Sequence, residues 1–179
     1  MARTAKIVRK TDETSIKVKV NLDGKGECKI KSRVEFLNHM LRIFALHSGI
    51  DLEIEAEGDL IHHIVEDTAI CLGKAISNAL GKRENLKRFG HAIVPMDDSL
   101  VIVAVDLKER PYCVIKMNLR DRIEDVTSED MLHFFNSLAS NLHAAIHIHE
   151  LCGTNSHHKI EAAIKALALS IREAISERK

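Results

Sequence analysis

The chain has 179 residues, with 26 Lys plus Arg against 26 Asp plus Glu, so its formal net charge is zero. That balance, with aromatics at 3% and no basic run, excludes a nucleic-acid binder working by counterion release and base stacking. No apolar run approaches the roughly 18 residues of a membrane span, and the start Met1-Ala-Arg-Thr-Ala-Lys6 has no signal-type apolar stretch, so a cytoplasmic protein without a membrane partner is expected.

Residues 5–10, 14–22 and 27–31 read as strands, with Asp23-Gly-Lys-Gly26 as a hairpin turn between the last two. Residues 33–47 read as a helix, because Val34, Leu37, Leu41 and Phe44 recur at helical spacing. Ile50, Leu52, Ile54 and Ala56 alternate over 50–57, the pattern of a half-buried strand. A second helix covers 63–80 and ends at Gly81. The same order then recurs: strands near 89–94, 99–107 and 112–118, a helix at 128–142, a strand at 144–150 and a helix at 158–177. Pro95 and Pro111 are expected at strand edges, where a missing N–H is tolerated. Cys28, Cys71, Cys113 and Cys152 form no Cys-x-x-Cys motif and read as reduced thiols, most of them small core residues.

The recurrence is a duplication. His62-His63-Ile-Val-Glu66 and His157-His158-Lys-Ile-Glu161 lie 95 residues apart, as do Gly58 and Gly153. The helical stripe Val65, Ala69, Leu72, Ile76 and Leu80 is matched at that offset by Ile160, Ile164, Leu167, Ile171 and Ile175. A third histidine precedes each pair, His39 and His133, and an acidic residue opens an alternating strand in each copy, Glu13 and Asp98. The expected architecture is α+β: two tandem repeats, 1–87 and 88–179, each a mixed β-sheet with helices on one face, fused into one compact unit. Helices of the two copies would pack together between the sheets.

The repeated residues suit metal chemistry. His62 and Glu66 are four apart and share a helix face, whereas adjacent His63 diverges by about 100° and serves a second ion. The same holds for His157, Glu161 and His158, and His39 and His133 would each add a ligand from the other helix of their own repeat. Six His and two Glu suffice for two ions with four protein ligands each, leaving open positions of the catalytic kind. Such a donor set suits Mn, Fe, Co, Ni or Zn. Arg88, Arg110 and Lys165 could bind an anion beside the metals, Lys165 being four residues beyond Glu161. His47, His143, His147 and His149 read as structural or solvated, and His91 has no evident partner.

Several segments carry a family resemblance: Phe36-Leu-Asn-His39-Met-Leu41, His62-His-Ile-Val-Glu66-Asp67-Thr68, Arg88-Phe-Gly90, Val94-Pro-Met-Asp-Asp-Ser99, Arg110-Pro-Tyr112, His133-Phe-Phe135 and Gly153-Thr-Asn-Ser-His157-His-Lys-Ile-Glu161-Ala162 with Lys165-Ala-Leu-Ala168. In order and spacing, over nearly the whole chain, they closely resemble the imidazoleglycerol-phosphate dehydratase family. The resemblance implies a duplicated fold like the second domain of ribosomal protein S5, a 24-subunit homo-oligomer with active sites at subunit interfaces, and two manganese ions per active site. It implies metal ligands at His39, His62, His63, Glu66, His133, His157, His158 and Glu161. It implies substrate contacts at Glu13, Arg88, Arg110 and Lys165, the last three near the phosphate, and Asp97 as an active-site acid. The implied reaction is the loss of water from imidazole glycerol phosphate, giving imidazole acetol phosphate in histidine biosynthesis. The proton removed sits on a carbon with no adjacent carbonyl, so a metal-held, electron-rich imidazole is needed before a carboxylate can take it. Glu13 and Glu66 both stand as that base.

Two segments depart from the family. Gly58-Asp59-Leu60-Ile61 runs straight into His62, which leaves open whether its Asp supports the pair. The chain ends Ser176-Glu-Arg-Lys179 in place of a Ser-Thr-Lys-Gly extension, which shifts phosphate binding onto Arg88, Arg110 and Lys165. A dinuclear phosphoesterase using metal-activated water, or a storage protein holding many ions per chain, would use the same ligands.

Overall fold

A computed structural model describes residues 3–178; Met1, Ala2 and Lys179, which the expectations for the two chain ends include, lie outside it. Strand β1 (Thr4–Lys10) runs antiparallel to β2 (Thr14–Asn21), whose alternation buries Ile16, Val18 and Val20 and turns Lys17 and Lys19 outward. Then follow β3 (Cys28–Lys31), helix α1 (Glu35–Ser48), β4 (Asp51–Gly58) and helix α2 (Ile61–Leu80). The sheet order is β1-β2-β4-β3, with β3 parallel to β4. The second half repeats it with β5 (Phe89–Met96), β6 (Ser99–Asp106), β7 (Tyr112–Lys116), a ribbon of β8 (Arg122–Ile123) and β9 (Val126–Thr127), α3 (Ser128–Leu142), β10 (Ala145–Cys152) and α4 (Ser156–Ala174). Its order, β5-β6-β10-β7 with β7 parallel to β10, is the same topology.

The hairpin expected at Asp23–Gly26 does not form, because β4 lies between β2 and β3. Asp51, the first residue of β4, accepts the amides of Lys25, Gly26 and Glu27 at 2.8, 3.1 and 3.0 Å. The loop therefore winds around the end of β4 and delivers β3 to its far side. Burial alone would push the Asp51 carboxyl up; these donors and the Asn21 amide outweigh it and hold it below the usual range.

Helix α2 packs on β1 and β2, and α4 on β5 and β6; across the halves, α2 packs on α3 and α1 on α4. The helices thus form the layer between the sheets, with Leu37, Phe44, Leu72, Phe134 and Phe135 fully buried in it. Both α2 and α4 begin earlier than their apolar stripes suggest, so each His pair lies in a first helical turn. In α4 the Asn155 side chain caps that turn by accepting the His157 and His158 amides. No helix among the described residues is long and apolar enough to cross a membrane. Pro95 sits in β5 and Pro111 just before β7, the two edge strands of the second sheet. All four cysteines are free, but only Cys71 is fully buried, and Cys152 is exposed. Burial pushes the Cys71 and Cys113 thiols up to about 11, the range of inert thiols.

The outer faces of the two sheets have diverged. The first carries rows of charged residues of both signs, Lys6, Lys19, Glu53 and Lys29 in one and Lys17, Glu55 and Lys31 in the next. The second exposes Phe89, Ile93 and Tyr112, with Ile93 in a row with Ile102 and His149.

A further difference was not legible as an element: strand leads to helix through residues 32–34 in the first half but through 117–127, with the β8–β9 ribbon, in the second. This excursion reaches the other half. Val34 offers α1 no side-chain cap, and Asp125 takes its place, accepting the Glu35 and Phe36 amides at 2.6 and 3.0 Å. Asp125→Ala is expected to cost about 1 kcal/mol of stability, a fall in Tm of roughly 2–4 °C, measured by thermal unfolding; an unchanged Tm would show that solvent caps α1 equally well.

Candidate metal centre

Where helices of opposite halves meet, two candidate triads stand, one with its donor atoms gathered closely enough for an ion and one looser. In the first, His39 of α1 stands with His157 and Glu161 of α4. The His39 and His157 Nε2 atoms lie 3.5 and 3.3 Å from the same Glu161 oxygen, and one ligand atom from each residue falls within 4.8 Å of the others. Burial alone would push the Glu161 carboxyl up, but the Lys165 ammonium 2.8 Å away and the two imidazoles outweigh it and hold it low. In the second, His62 Nε2 lies 3.7 Å from Glu66 on α2, and the His133 ring of α3 is 5.0 Å from the His62 ring. This triad is more open: the Glu66 side chain is 37% exposed against 10% for Glu161.

His39 and His133 thus complete the triad of the other repeat, not of their own. The reason is the helix layer, in which α1 lies on α4 and α2 on α3, so the nearest His-His-x-x-Glu face to each belongs to the opposite half.

The remaining ring nitrogens are occupied in a pattern that suits a metal. The Nδ1 atoms of His62, His63, His157 and His158 lie 2.9, 2.8, 3.0 and 2.8 Å from carboxylates of Asp130, Asp59, Glu124 and Asp98. A carboxylate on Nδ1 fixes the proton there and leaves the Nε2 lone pair for a cation, as metal-bound histidines require. Asp59 therefore does support the first pair, through His63, and its carboxylate raises that imidazole's pKa. Burial would push Asp130 up, but the Thr127 amide and hydroxyl and the His62 ring hold it low. The His158 ring and the Thr154 and Asn155 donors hold Asp98 far below the usual carboxylate range. The donor set and its carboxylate supports fit two divalent ions.

The acidic candidates flank the second histidine of each pair: Glu13 is 3.9 Å from His63 Nδ1, and Asp97 is 3.4 Å from His158 Nε2.

Comparison with known proteins places the chain in a family. The family model for imidazoleglycerol-phosphate dehydratase matches residues 32–171. Proteins of that name from Chlorobium phaeovibrioides and Methanococcoides burtonii are 47% and 46% identical over 177 residues, covering 97% of this chain and 88% and 92% of theirs. The chain belongs to the imidazoleglycerol-phosphate dehydratase family. Crystal structures of family members share the fold: that from Staphylococcus aureus at 31% identity and TM-score 0.90, covering 98% of this chain and 99% of that one, and that from Pyrococcus furiosus at 42% and 0.83, covering 97% and 95%.

Of the basic residues that the family resemblance places at the phosphate, only Lys165 stands beside a triad, between Glu161 and the Met96 sulfur at 3.3 Å. Arg88 donates to both Asp106 oxygens at 2.6 and 2.9 Å, and its amide bonds to Ala174 at the far end of α4. Arg110 also acts on Asp106. Arg88 enters β5 at the end opposite the Asp97–Asp98 turn, roughly 25 Å along α4 from His157. Within one chain these two arginines are therefore not beside the ligand triads, contrary to the expectation from sequence. His147 and His149 stand on β10 next to each other, with Tyr112 against His147, and His91 pairs with Glu173 at 3.7 Å. His143 closes α3 in the left-handed conformation.

The sequence alone does not mark Asp130, Glu124 and Asp98 as supports for the histidines. A signal existed: every metal-bound imidazole needs an acceptor for its other N–H, and Asp98 was already visible as the acid opening its strand.

Proposed function

We propose that this chain catalyses the metal-dependent loss of water from imidazole glycerol phosphate, giving imidazole acetol phosphate in histidine biosynthesis, with two manganese ions per active site. The observation that carries the metal is the set of four imidazoles whose Nδ1 atoms are all held by carboxylates. His39, His157 and Glu161 would hold one ion and His62, Glu66 and His133 the other. His63 and His158, turned about 100° from their neighbours on the helix, would serve ions shared with another copy. Bound manganese supplies Lewis-acid polarisation and a template for the imidazole.

The chain's own residues supply the rest. Glu66 is engaged with His62 as a ligand, whereas Glu13, 60% exposed beside His63, is free to take the C–H proton. Asp97 beside His158 is placed to orient the hydroxyl. Lys165 meets the phosphate from its own chain, and Arg88 and Arg110 from a neighbouring one. That division would require a homo-oligomer, which we take to be the 24-subunit assembly of the family resemblance, working in the cytoplasm. The apolar outer face of the second sheet is a suitable contact for it. The two repeats, 1–87 and 88–179, act as one unit, since each triad takes residues from both.

The test is incubation with imidazole glycerol phosphate before and after chelation. The ketone product is expected, lost on chelation and restored by manganese, with close to two ions per chain. Release of inorganic phosphate would instead indicate a phosphoesterase, and many ions per chain without turnover a storage protein.

A further inference from the structure

The two halves share a topology but differ in the link from strand to helix, and the longer link, 117–127, is tied down over the N-terminus of α4. Lys159, nearly buried, donates to the Asn118 carbonyl at 2.7 Å and pairs with Glu150 at 2.8 Å. The Arg120 amide bonds to Ser156 Oγ at 2.9 Å, and Asp125 caps α1. Between these anchors the β8–β9 turn places Glu124 at φ 54°, a conformation that side chains other than glycine rarely adopt. Its carboxylate, 59% exposed, lies 3.0 Å from His157 Nδ1. Nothing in the packing of the ribbon calls for a glutamate there, since the side chain is mostly in solvent. The left-handed φ belongs to the two-residue turn between the paired Ile123 and Val126, and that turn aims the carboxylate at His157.

We propose that Glu124 is a positioning residue for the first metal triad: it keeps the proton of His157 on Nδ1, so that Nε2 faces Glu161 and His39 before any ion arrives. This rests on the metal-dependent reading above. The ribbon is confined to the second half; in the other triad the corresponding place at His62 Nδ1 is taken by Asp130 of α3, at 2.9 Å.

The test compares Glu124→Gly and Glu124→Gln with the unaltered chain. Histidine-selective 15N NMR of the metal-free proteins reports the His157 tautomer, with His157→Gln to assign the signal. The Nδ1–H form is expected in the unaltered chain and in Glu124→Gln, which keeps an acceptor oxygen, and is expected to be lost in Glu124→Gly. Manganese titration should show one ion of the pair bound roughly 10- to 100-fold more weakly in Glu124→Gly and the other unchanged. The metal-free Tm of Glu124→Gly should not fall, because glycine adopts this φ without strain. An unchanged tautomer in Glu124→Gly overturns the proposal whether or not metal binds, and so does a fall in Tm that accounts for the lost affinity. An unaltered chain that takes up no manganese overturns the underlying reading, while the tautomer comparison still decides this one.

Discussion

Replacing Glu161 by Gln is expected to remove manganese from the His39–His157 triad and to lower kcat/KM by roughly 10³-fold, since a Lewis-acid ion contributes several kcal/mol to the transition state at about 1.4 kcal/mol per decade. Gln keeps the volume of the side chain, so the loss is one of charge. Glu161 is buried and faces the Lys165 ammonium at 2.8 Å and the imidazoles of His157 and His39 at 3.3 and 3.5 Å. A neutral amide can still accept from Lys165, but it no longer offsets the ammonium, whose side chain is only 20% exposed. Two effects should therefore appear together: loss of one ion, and a stability loss of about 1–3 kcal/mol from the uncompensated lysine. Glu66→Gln provides the contrast. Glu66 is more open and no lysine among the described residues is paired with it, so the same exchange should cost an ion and activity with little change in Tm. Elemental analysis of the purified variants, steady-state kinetics and thermal unfolding decide the matter. A Glu161→Gln protein with its full manganese complement would sink the ligand assignment.

Gly90→Ala is expected to be the most damaging small substitution, with a loss of about 3 kcal/mol and a fall in Tm near 10 °C at roughly 2–4 °C per kcal/mol. Gly90 lies on β5 where α4 crosses it. A Cβ there would sit 1.9 Å from the Ser170 carbonyl oxygen, 2.8 Å from its carbon and 2.9 Å from the Ala174 nitrogen. These are backbone atoms, so no side chain can rotate away and the helix itself must move. It is not free to move, because Ser170 Oγ donates to Val103 O on β6 at 3.1 Å or back to Ala166 O at 2.7 Å. Since α4 carries His157, His158 and Glu161, its displacement should also weaken metal binding. Gly49→Ala is the control: Gly49 ends α1 at φ 75° with nothing within 4 Å of a new Cβ, so only the left-handed backbone opposes it, at about 1 kcal/mol. Thermal unfolding of both variants without metal measures the difference. If Gly90→Ala were no worse than Gly49→Ala, the contact between β5 and α4 would be looser than the distances indicate.

The parts legible before the fold was seen were those encoded within a few residues. Period-two alternation in 14–22 and 50–57 marks strands because successive side chains leave opposite faces. The stripe from Val65 to Leu80 marks a helix for the analogous reason. Repetition at one offset revealed the duplication, and the four-residue step from His62 to Glu66 placed both on one face. The Asp23–Gly26 turn failed because its local chemistry is that of a hairpin, while its path is decided by Asp51, which is far along the chain.

The sequence by itself determined most of the elements, the doubled architecture, the candidate ligands and the family. Only the tertiary structure decided which ligands meet. Asp130 lies 68 residues from His62, Asp98 60 from His158 and Glu124 33 from His157. No periodicity reaches so far. These pairings, and the crossing of His39 and His133 to the opposite repeat, arise because each half must bury the apolar stripes of its helices against the other. In doing so it fixes which polar faces stand together at the edge of that layer.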